Sequence, residues 1–337
     1  RAHPVVIRIL RALRSGRVLR MRILTFSTLY PNATAPQFGV FVENRLRQLL
    51  ASGEVEARVV APVPWVPGDY RWLGSHARLA RIPAEATRHG LAVLHPRYPQ
   101  LPRIGETLHP FGLALGALPA LRRVQRTGFD FDLIDAHYFY PDGVAAALLA
   151  RWLGKPYVVT ARGTDLVTIA QHPLPRRMIR AAAEAADGLI TVSASLADEL
   201  VALGIARERV TVLRNGVDLA HFRPLGREAA RVRYGVAGAA PVLASVGHLI
   251  PRKGNEWIIR ALPALPGVRL LIAGQGPEKA MLEGLIRDCG VADRVTMLGE
   301  VAHAELSQLY SAADVLVLAT GHEGWPNVLL EAMACGT

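Results

Sequence analysis

Short apolar runs alternate with longer amphipathic segments along most of this chain of 337 residues. The runs at 21–27, 55–62 and 131–136 are typical of strands buried in a parallel sheet. The segments at 40–50 and 177–186 place apolar residues at helical spacing, which leaves one face for burial. Because strands and helices alternate in this way, the first part of the chain is predicted to form a doubly wound α/β sheet.

The same alternation restarts after a junction near 224–234, with strands predicted at 241–246, 268–273 and 295–298 and helices between them. Two such domains are expected to face each other across a cleft, which is the usual place for a ligand. The predicted division, in chain order, is a basic extension (1–20), a Rossmann-like domain (21–225) and a second Rossmann-like domain (226–337).

The most informative stretch is 321–331, which follows an apolar run that reads as another buried strand. Pro326 suits the first residue of a helix, because its φ is preset and its missing N–H is no loss there. The free backbone N–H groups and the dipole of that helix favour an anion. Carboxylates at Glu323 and Glu331 accept hydrogen bonds from hydroxyl groups. The arrangement predicts a ligand with central phosphates and hydroxyls at both ends, which is a nucleotide sugar; the alternative is that both glutamates are solvated acids at a helix start.

Polar residues also follow two predicted strands of the first domain. His137 comes at the end of one strand, and Arg162 and Asp165 follow the next. Ligands of open α/β sheets bind at this edge. The loop at 31–39 has no Gly-x-Gly-x-x-Gly pattern, which argues against NAD. Gly39 stands at the start of a predicted helix, where it serves either a close approach of a ligand or an ordinary turn.

Composition limits the remaining possibilities. Residues 1–20 contain six arginines and no acid, which is more than half of the formal net charge of +11. Met21 is predicted to be the natural first residue; the alternative is that 1–20 form a basic arm on anionic lipid. The positive charge fits an anionic donor, an anionic membrane surface or both, and no signature of nucleic-acid binding accompanies it. Trp65 and Trp72 are predicted either as membrane-interface anchors or as packing residues.

The string from Glu323 to Thr337 resembles the signature of the retaining glycosyltransferases of family four, which have the GT-B fold. The resemblance covers 21–337 and includes five further motifs in the family's order. These are Asn215-Gly216-Val217-Asp218 with Phe222 and Pro224, then 245–254, then Gly274-Gln275-Gly276-Pro277, then 298–301, then Glu305-Leu306 with Tyr310. Single motifs of this kind are weak, but their shared register is specific.

The resemblance implies a role for each matching residue. Lys253 would pair with the donor diphosphate, Glu331 with the ribose and Glu323 with the transferred sugar, while His137 would face that sugar from the first domain. We therefore predict His137, Lys253 and Glu323 as catalytic residues, and Arg162 and Asp165 on the acceptor side. The remaining predicted donor-binding residues are Gly39, His248, Arg252, Gly299, Val301, Gly324, Trp325, Pro326, Asn327, Val328 and Glu331.

The chain departs from the family pattern at two places. Many relatives have arginine in the phosphate loop where this chain has His248, and an arginine binds phosphate through two parallel hydrogen bonds whereas a neutral histidine does not. Arg252 is the candidate replacement. The family's chain also normally continues past Thr337, so the second domain is expected to be incomplete.

These observations predict a retaining glycosyltransferase that moves a sugar from a UDP or GDP donor to a hydroxyl acceptor. The expected acceptor is a glycan or lipid-linked glycan of the cell envelope, and the expected place is the cytoplasm, at the inner face of the membrane. No Asp-x-Asp motif stands at a strand end, so neither a metal nor a cofactor is expected. The alternatives are a GT-B nucleotide-sugar epimerase and a non-catalytic scaffold that binds the donor.

Overall fold

The computed structural model describes residues 20–65, 78–99, 107–236, 238–321 and 323–337. The contacts divide the chain into two compact units, Arg1–Arg214 and Asn215–Thr337. Both are α/β units with parallel sheets, as the alternation of strands and helices predicts. Apart from Arg20, the basic extension lies outside the described residues, and so does Trp72.

The first unit is built on an eight-stranded sheet with the order β10-β9-β8-β7-β1-β2-β5-β4. Its neighbouring strands are parallel except for β4 and β5, which are antiparallel. Strands β3 and β6 form a separate two-stranded parallel ribbon. The strands are β1 (Met21–Phe26), β2 (Val55–Val60), β3 (Val63–Pro64), β4 (Glu85–Arg88), β5 (Leu91–Leu94), β6 (Arg97–Tyr98), β7 (Leu133–His137), β8 (Tyr157–Ala161), β9 (Gly188–Thr191) and β10 (Val210–Val212).

Helices connect these strands because a parallel strand pair needs a crossover. In α1, Val42 and Leu46 lie one turn apart and are buried with Val59 and Val93 of the sheet. The helices of this unit are α1 (Val40–Ala51), α2 (His109–Arg126), α3 (Val144–Leu153), α4 (Thr164–Val167), α5 (Pro173–Ala185) and α6 (Ala194–Ala202). An irregular turn, Phe139–Gly143, joins β7 to α3.

Gly39 precedes α1 with a φ of 72°, in the left-handed region. A Cβ there would overlap the carbonyl group of Leu29. The close approach expected at this glycine is therefore made by the chain's own backbone, which accounts for the residue without any ligand.

We predict that Gly39→Ala lowers the free energy of unfolding by about 2 kcal/mol or more, because strain and overlap act together. Gly53→Ala is the matched control, since Gly53 has a φ of 75° and open space around its Cα. Urea unfolding of both variants measures the difference. Equal losses would mean that the contact with Leu29 contributes nothing.

The second unit has a four-stranded parallel sheet with the order β13-β12-β11-β14. Leu271 and Ala273 face one buried cluster, whereas Leu270 and Ile272 face another, so both faces of β12 are covered. Its strands are β11 (Val242–Val246), β12 (Arg269–Ala273), β13 (Val295–Gly299) and β14 (Val315–Leu316). Its helices are α7 (Arg227–Arg233), α8 (Asn255–Ala261), α9 (Lys279–Asp288), α10 (Leu306–Ala312) and α11 (Asn327–Ala334).

The segment 215–225 packs with the second unit, although the sequence analysis placed the domain boundary after 225. Phe222 is buried in the core of that unit, and Val217 packs against the same cluster. An apolar anchor of this kind carries no periodic signal, so the pattern of strands and helices does not show which unit it joins. Among the described residues, every helix is too short or too polar to cross a bilayer.

Candidate functional site

Three loops meet at the carboxyl edge of the second sheet, and glycines allow them to touch. A Cβ at Gly274 would overlap the carbonyl oxygen of Gly247, and one at Gly254 would overlap that of Ala319. Further along, Thr320 Oγ1 donates a hydrogen bond of 3.0 Å to the carbonyl oxygen of Arg252. Backbone amides join the loops as well, from Leu249 to the carbonyl oxygen of Gln275 (2.9 Å) and from Gly321 to that of Arg252 (3.1 Å), so the loops after β11, β12 and β14 are held in a fixed relation.

This arrangement brings together three residues that the sequence analysis selected. Lys253 Nζ contacts Glu323 Oε1, and Arg252 Nη1 lies 3.5 Å from the same oxygen. Lys253 and Glu323 are each about four-fifths buried, at 18% side-chain exposure, so water screens their pairing less than it would at the surface. Two cations and one carboxylate thus lie together where the phosphate and sugar of a donor were expected.

Glu331 lies on α11 and is almost completely buried. Its Oε2 accepts a hydrogen bond of 2.8 Å from Tyr310, and its Oε1 lies 3.1 Å from His303 Nε2. Burial, followed by the charge of Glu331, raises the pKa of Tyr310, so its hydroxyl remains a donor. The carboxylate is held in place from two sides, and it is not a solvated acid at a helix start.

His303 belongs to a ring cluster that the sequence analysis did not select. His221 stacks on it with ring centroids 5.9 Å apart, and Phe222 meets it edge-on at 5.1 Å. The only sequence signal was proximity to two noted motifs, since His221 precedes Phe222 and His303 precedes Glu305 by two positions. His303 contacts Glu331 and stacks on His221, so this cluster joins residues up to 110 positions apart in the sequence.

The segment 324–328 is anchored by Asn215. Its carbonyl oxygen accepts a hydrogen bond of 3.2 Å from Trp325 Nε1, and its side chain donates one of 2.9 Å to Asn327 Oδ1. Helix α11 begins at Asn327, so Pro326 is the residue before the helix and the prediction that it is the first helical residue was off by one. The ψ of Pro326 is 109°, which is extended. Val328 packs against the core, and Gly324 lies in the loop before the helix.

The other predicted donor-binding residues surround the same edge. Gly299 ends β13 and accepts a hydrogen bond of 2.7 Å from the amide of Gly274. Val301 packs against the core of the unit. His248 is exposed in the loop that also carries Arg252 and Lys253. Their assignment to a donor stays a prediction.

The predicted residues of the first unit form a separate buried cluster. His137 ends β7 and is 1% exposed, with Nε2 at 3.1 Å from Asp135 and Nδ1 at 2.6 Å from Arg162 Nη2. Burial lowers the pKa of His137 to about 4, against the opposing effect of Asp135. Because Arg162 only donates, the neutral ring accepts at Nδ1 and donates from Nε2. Each ring nitrogen thus has a protein partner, and the prediction that His137 faces a sugar stays a prediction.

Arg162 and Asp165, predicted on the acceptor side, connect the loops after β7 and β8. Asp165 is fully buried and accepts hydrogen bonds from the amides of Phe139 (2.8 Å), Arg162 (3.1 Å) and Gly163 (2.7 Å). Burial, with a smaller effect from Arg45, lowers the pKa of Arg162 to about 9, and its guanidinium lies 4.9 Å from the ring centre of Phe41. In this structure both side chains make contacts within the protein, near the carboxyl ends of β7 and β8.

Asp142 is a further buried carboxylate of this unit, and it was not among the residues predicted from the sequence. Its carboxylate accepts from the amide of Thr28 (2.8 Å), the hydroxyl of Thr28 (2.9 Å) and the hydroxyl of Ser27 (3.1 Å). Burial nevertheless raises its pKa to about 7. Asp142 thereby joins β1 to the turn after β7, across 114 positions of sequence.

The buried neutral His137 predicts a pH dependence of stability. The unfolded chain binds a proton near pH 6.5 but the native chain only near pH 4, so stability falls as the pH falls through this window. His137→Gln keeps a donor and an acceptor but does not titrate. Its unfolding free energy, measured with urea, should therefore lose about 3 kcal/mol less than that of the wild type between pH 6.5 and 4.

The raised pKa of Asp142 makes the free energy of unfolding increase as the pH falls over part of the same window. This contribution is the same in the wild type and in His137→Gln, so the difference between their two profiles reports on His137 alone. His172→Gln, at an exposed histidine of the same unit, should follow the wild-type profile. Parallel profiles for His137→Gln and the wild type would contradict a neutral His137.

Comparison with protein-family models gives two matches along this chain. Residues 85–221 match the model described as Glycosyltransferase Family 4, and residues 226–337 match that of glycosyl transferases group 1. The D-inositol 3-phosphate glycosyltransferase of Mycobacteroides abscessus is 36% identical over 222 residues, which are 61% of this chain and 50% of that protein. That of Mycolicibacterium smegmatis is 35% identical over 221 residues, 61% and 51% of the two chains. The chain thus spans about half the length of the curated relatives it matches.

Solved structures with the same fold include sucrose-phosphate synthase from Thermosynechococcus elongatus, with a TM-score of 0.71, 19% identity and coverage of 94% of this chain and 80% of the other. HepE of Anabaena in complex with UDP has a TM-score of 0.68, 21% identity and coverage of 95% and 79%. At such identities the likeness shows the fold alone. Two segments of this chain thus match, in order, the models of Glycosyltransferase Family 4 and of glycosyl transferases group 1, and the chain has the GT-B fold of its structural neighbours.

Proposed function

We propose that the chain carries the machinery of a retaining glycosyltransferase that moves a sugar from a nucleoside diphosphate to a hydroxyl acceptor. The observation that carries the proposal is the convergence of Lys253, Arg252 and Glu323 at one edge of the second sheet. In the same unit, Tyr310 and His303 hold the carboxylate of Glu331. A sugar nucleotide requires cations that bind its diphosphate and carboxylates that accept hydrogen bonds from its hydroxyl groups.

In this mechanism the ammonium of Lys253 and the guanidinium of Arg252 stabilise the negative charge that develops on the leaving diphosphate. Glu323, which both cations contact, accepts a hydrogen bond from a hydroxyl of the transferred sugar. Departure and attack occur on the same face of the sugar, and an oxygen of the leaving phosphate takes the proton of the acceptor hydroxyl. The reaction needs no metal or cofactor, so a chelator should leave turnover unchanged.

The first donors to test are UDP-hexoses, because HepE has been solved with UDP and with UDP-glucose. GDP and ADP donors are the alternatives. Two acceptor classes merit direct comparison: the glycan or lipid-linked glycan of a cell envelope, and a cyclitol phosphate, as the name of the mycobacterial relatives indicates. We place the reaction in the cytoplasm, at the inner face of the cell membrane.

Nucleotide binding is tested by thermal shift with UDP, GDP and ADP, comparing the wild type with Glu331→Ala. A nucleotide at ~100 times its Kd should stabilise the wild type by about 2.7 kcal/mol. Glu331→Ala should abolish that shift, because it removes the acceptor proposed for the ribose hydroxyls. Its lower melting temperature without nucleotide is expected from Tyr310 losing its partner, so the readout is the shift itself.

Glu228→Ala, at an exposed acid of the same unit, is the matched control and should keep the full shift. A shift that persists in Glu331→Ala would remove this residue from the donor site. Release of an isomerised sugar nucleotide without acceptor would instead indicate an epimerase, and nucleotide binding without any turnover would indicate a scaffold.

A further inference from the structure

A groove of about 670 Å³ lies in the first unit between α2, α3 and α5. Apolar side chains from all three helices line it, among them Phe111, Val144, Leu148 and Met178. Arg151 and Lys155 line it as well, and Lys155 pairs with Asp130 at 2.7 Å. The groove is distinct from the sites described above, all of which lie at the carboxyl edges of the sheets.

An exposed apolar stripe on α2 borders the groove. Leu108 lies just before the helix and Phe111 and Leu115 lie within it, and the three are 56%, 41% and 61% exposed. Their spacing of three and four residues puts them on one helical face. Leu174 of α5, 50% exposed, lies one turn from Met178 in the groove. Contiguous exposed apolar surface of this kind marks an interaction site.

Positive charges predominate around this surface, although Asp187 also lines the groove, where it accepts a hydrogen bond of 3.0 Å from the amide of Tyr157. Helices α2 and α3 contain no acid, and the single acid of α5, Glu184, pairs with Arg180 at 2.8 Å. On α2 the apolar face continues into Arg122 and Arg126 at the same helical spacing. Seven arginines belong to the three helices: Arg122, Arg123, Arg126, Arg151, Arg176, Arg177 and Arg180. The partner of this surface must therefore be apolar and negatively charged.

The β3–β6 ribbon lies against the same helix. Gly116 of α2 permits close approach to Tyr98, and Gly112 to Pro99. Trp65 follows β3, is 57% exposed, and donates its amide to the carbonyl oxygen of Tyr98 at 2.7 Å. This tryptophan, for which the sequence left open an interface anchor or a packing residue, thus adjoins the ribbon that packs against α2.

We propose that this surface, the docking face (Leu108, Phe111, Leu115, Arg122, Arg151 and Leu174), binds the interface of a bilayer that contains anionic lipid. Leucine and phenylalanine enter the boundary between headgroups and acyl chains, while the arginines pair with anionic headgroups. The chain's own residues 1–20 are an unsuitable occupant, because their six arginines carry the same sign as the face. The face holds the protein on the membrane and does not depend on the donor site.

Vesicle co-sedimentation tests the proposal, using phosphatidylcholine alone and phosphatidylcholine mixed with phosphatidylglycerol. The wild type should bind the anionic vesicles only, and salt should weaken the binding. Leu108→Ser/Leu115→Ser should lower the partition coefficient about tenfold or more, since two exposed leucines lose their burial in the interface. Arg122→Glu/Arg151→Glu should lower it to the same extent by reversing two charges.

Matched controls lie in the second unit, where Trp257 is 62% exposed and Arg287 is exposed. Trp257→Ser and Arg287→Glu should bind vesicles like the wild type. All four variants should keep the wild-type melting temperature and its shift with UDP, which separates a failed docking face from a failed donor site.

Equal binding to both kinds of vesicle, or wild-type binding by the leucine variant, would overturn the proposal. Absence of vesicle binding by the wild type would overturn it too, and would leave an acidic protein as the partner of this face.

Discussion

Lys253→Ala is expected to lower kcat about 10²- to 10³-fold, because it removes one preorganised cation from a largely buried site. Its Nζ contacts Glu323, and its Cε lies 3.7 Å from the place that a Cβ on Gly247 would occupy, so the ammonium is positioned before a donor arrives. The charge it stabilises grows as the diphosphate leaves, so kcat should fall more than KM rises. Initial rates of sugar transfer from a UDP-hexose measure both constants.

Lys279→Ala is the control for this variant, because Lys279 is 54% exposed and pairs with Glu283 only at 3.8 Å. It should keep wild-type kinetics. Lys253→Arg should recover part of the loss, since it restores the charge with a different shape. If Lys253→Ala instead raised KM and left kcat unchanged, Lys253 would stabilise the bound donor and the transition state equally.

Gly274→Ala is expected to lower the free energy of unfolding by more than about 4 kcal/mol, a loss that only a buried clash or cavity normally produces. Gly274 has a φ of 153°, and a Cβ would overlap the carbonyl oxygen of Gly247 at the junction of two loops. Backbone oxygen cannot move aside as a flexible side chain does, so the loops must separate. Chemical unfolding in urea measures the loss.

The matched control is Gly247→Ala. Gly247 has nearly the same φ, 155°, but its nearest neighbour would be the Lys253 side chain at 3.7 Å, which is an ordinary contact. It should lose about 1–3 kcal/mol from backbone strain alone. Equal losses in the two variants would show that strain, not the contact between loops, requires glycine at position 274.

Much of the fold follows from local patterns. Apolar runs and helical spacing predict the strands and helices of both units, because burial acts on residues that are close in sequence. Lys253 and Glu323, which are 70 positions apart, were assigned to one donor site by the family resemblance, and the structure brings their side chains into contact. Each follows a strand of one parallel sheet, and the carboxyl ends of such strands lie at one edge.

Partners brought together by the order of the strands could not be predicted in this way. Asp142 binds Thr28 across 114 positions, and Tyr310 binds Glu331 across 21. The burial of His137 between Asp135 and Arg162 depends on β7 and β8 being neighbours inside the sheet. No residue type or spacing near these positions specifies such a partner.

The sequence by itself therefore determined the class of fold, the edge of the sheet where the predicted donor residues gather, and the chemical types of those residues. Only the tertiary structure decided which side chains are buried and what holds them, from the carboxylate of Glu331 to the exposed stripe of α2. The physical reason is the separation along the chain between the residues that interact. Periodicity records which face of an element avoids water, whereas hydrogen-bond partners and uncovered faces depend on elements that are distant in the chain.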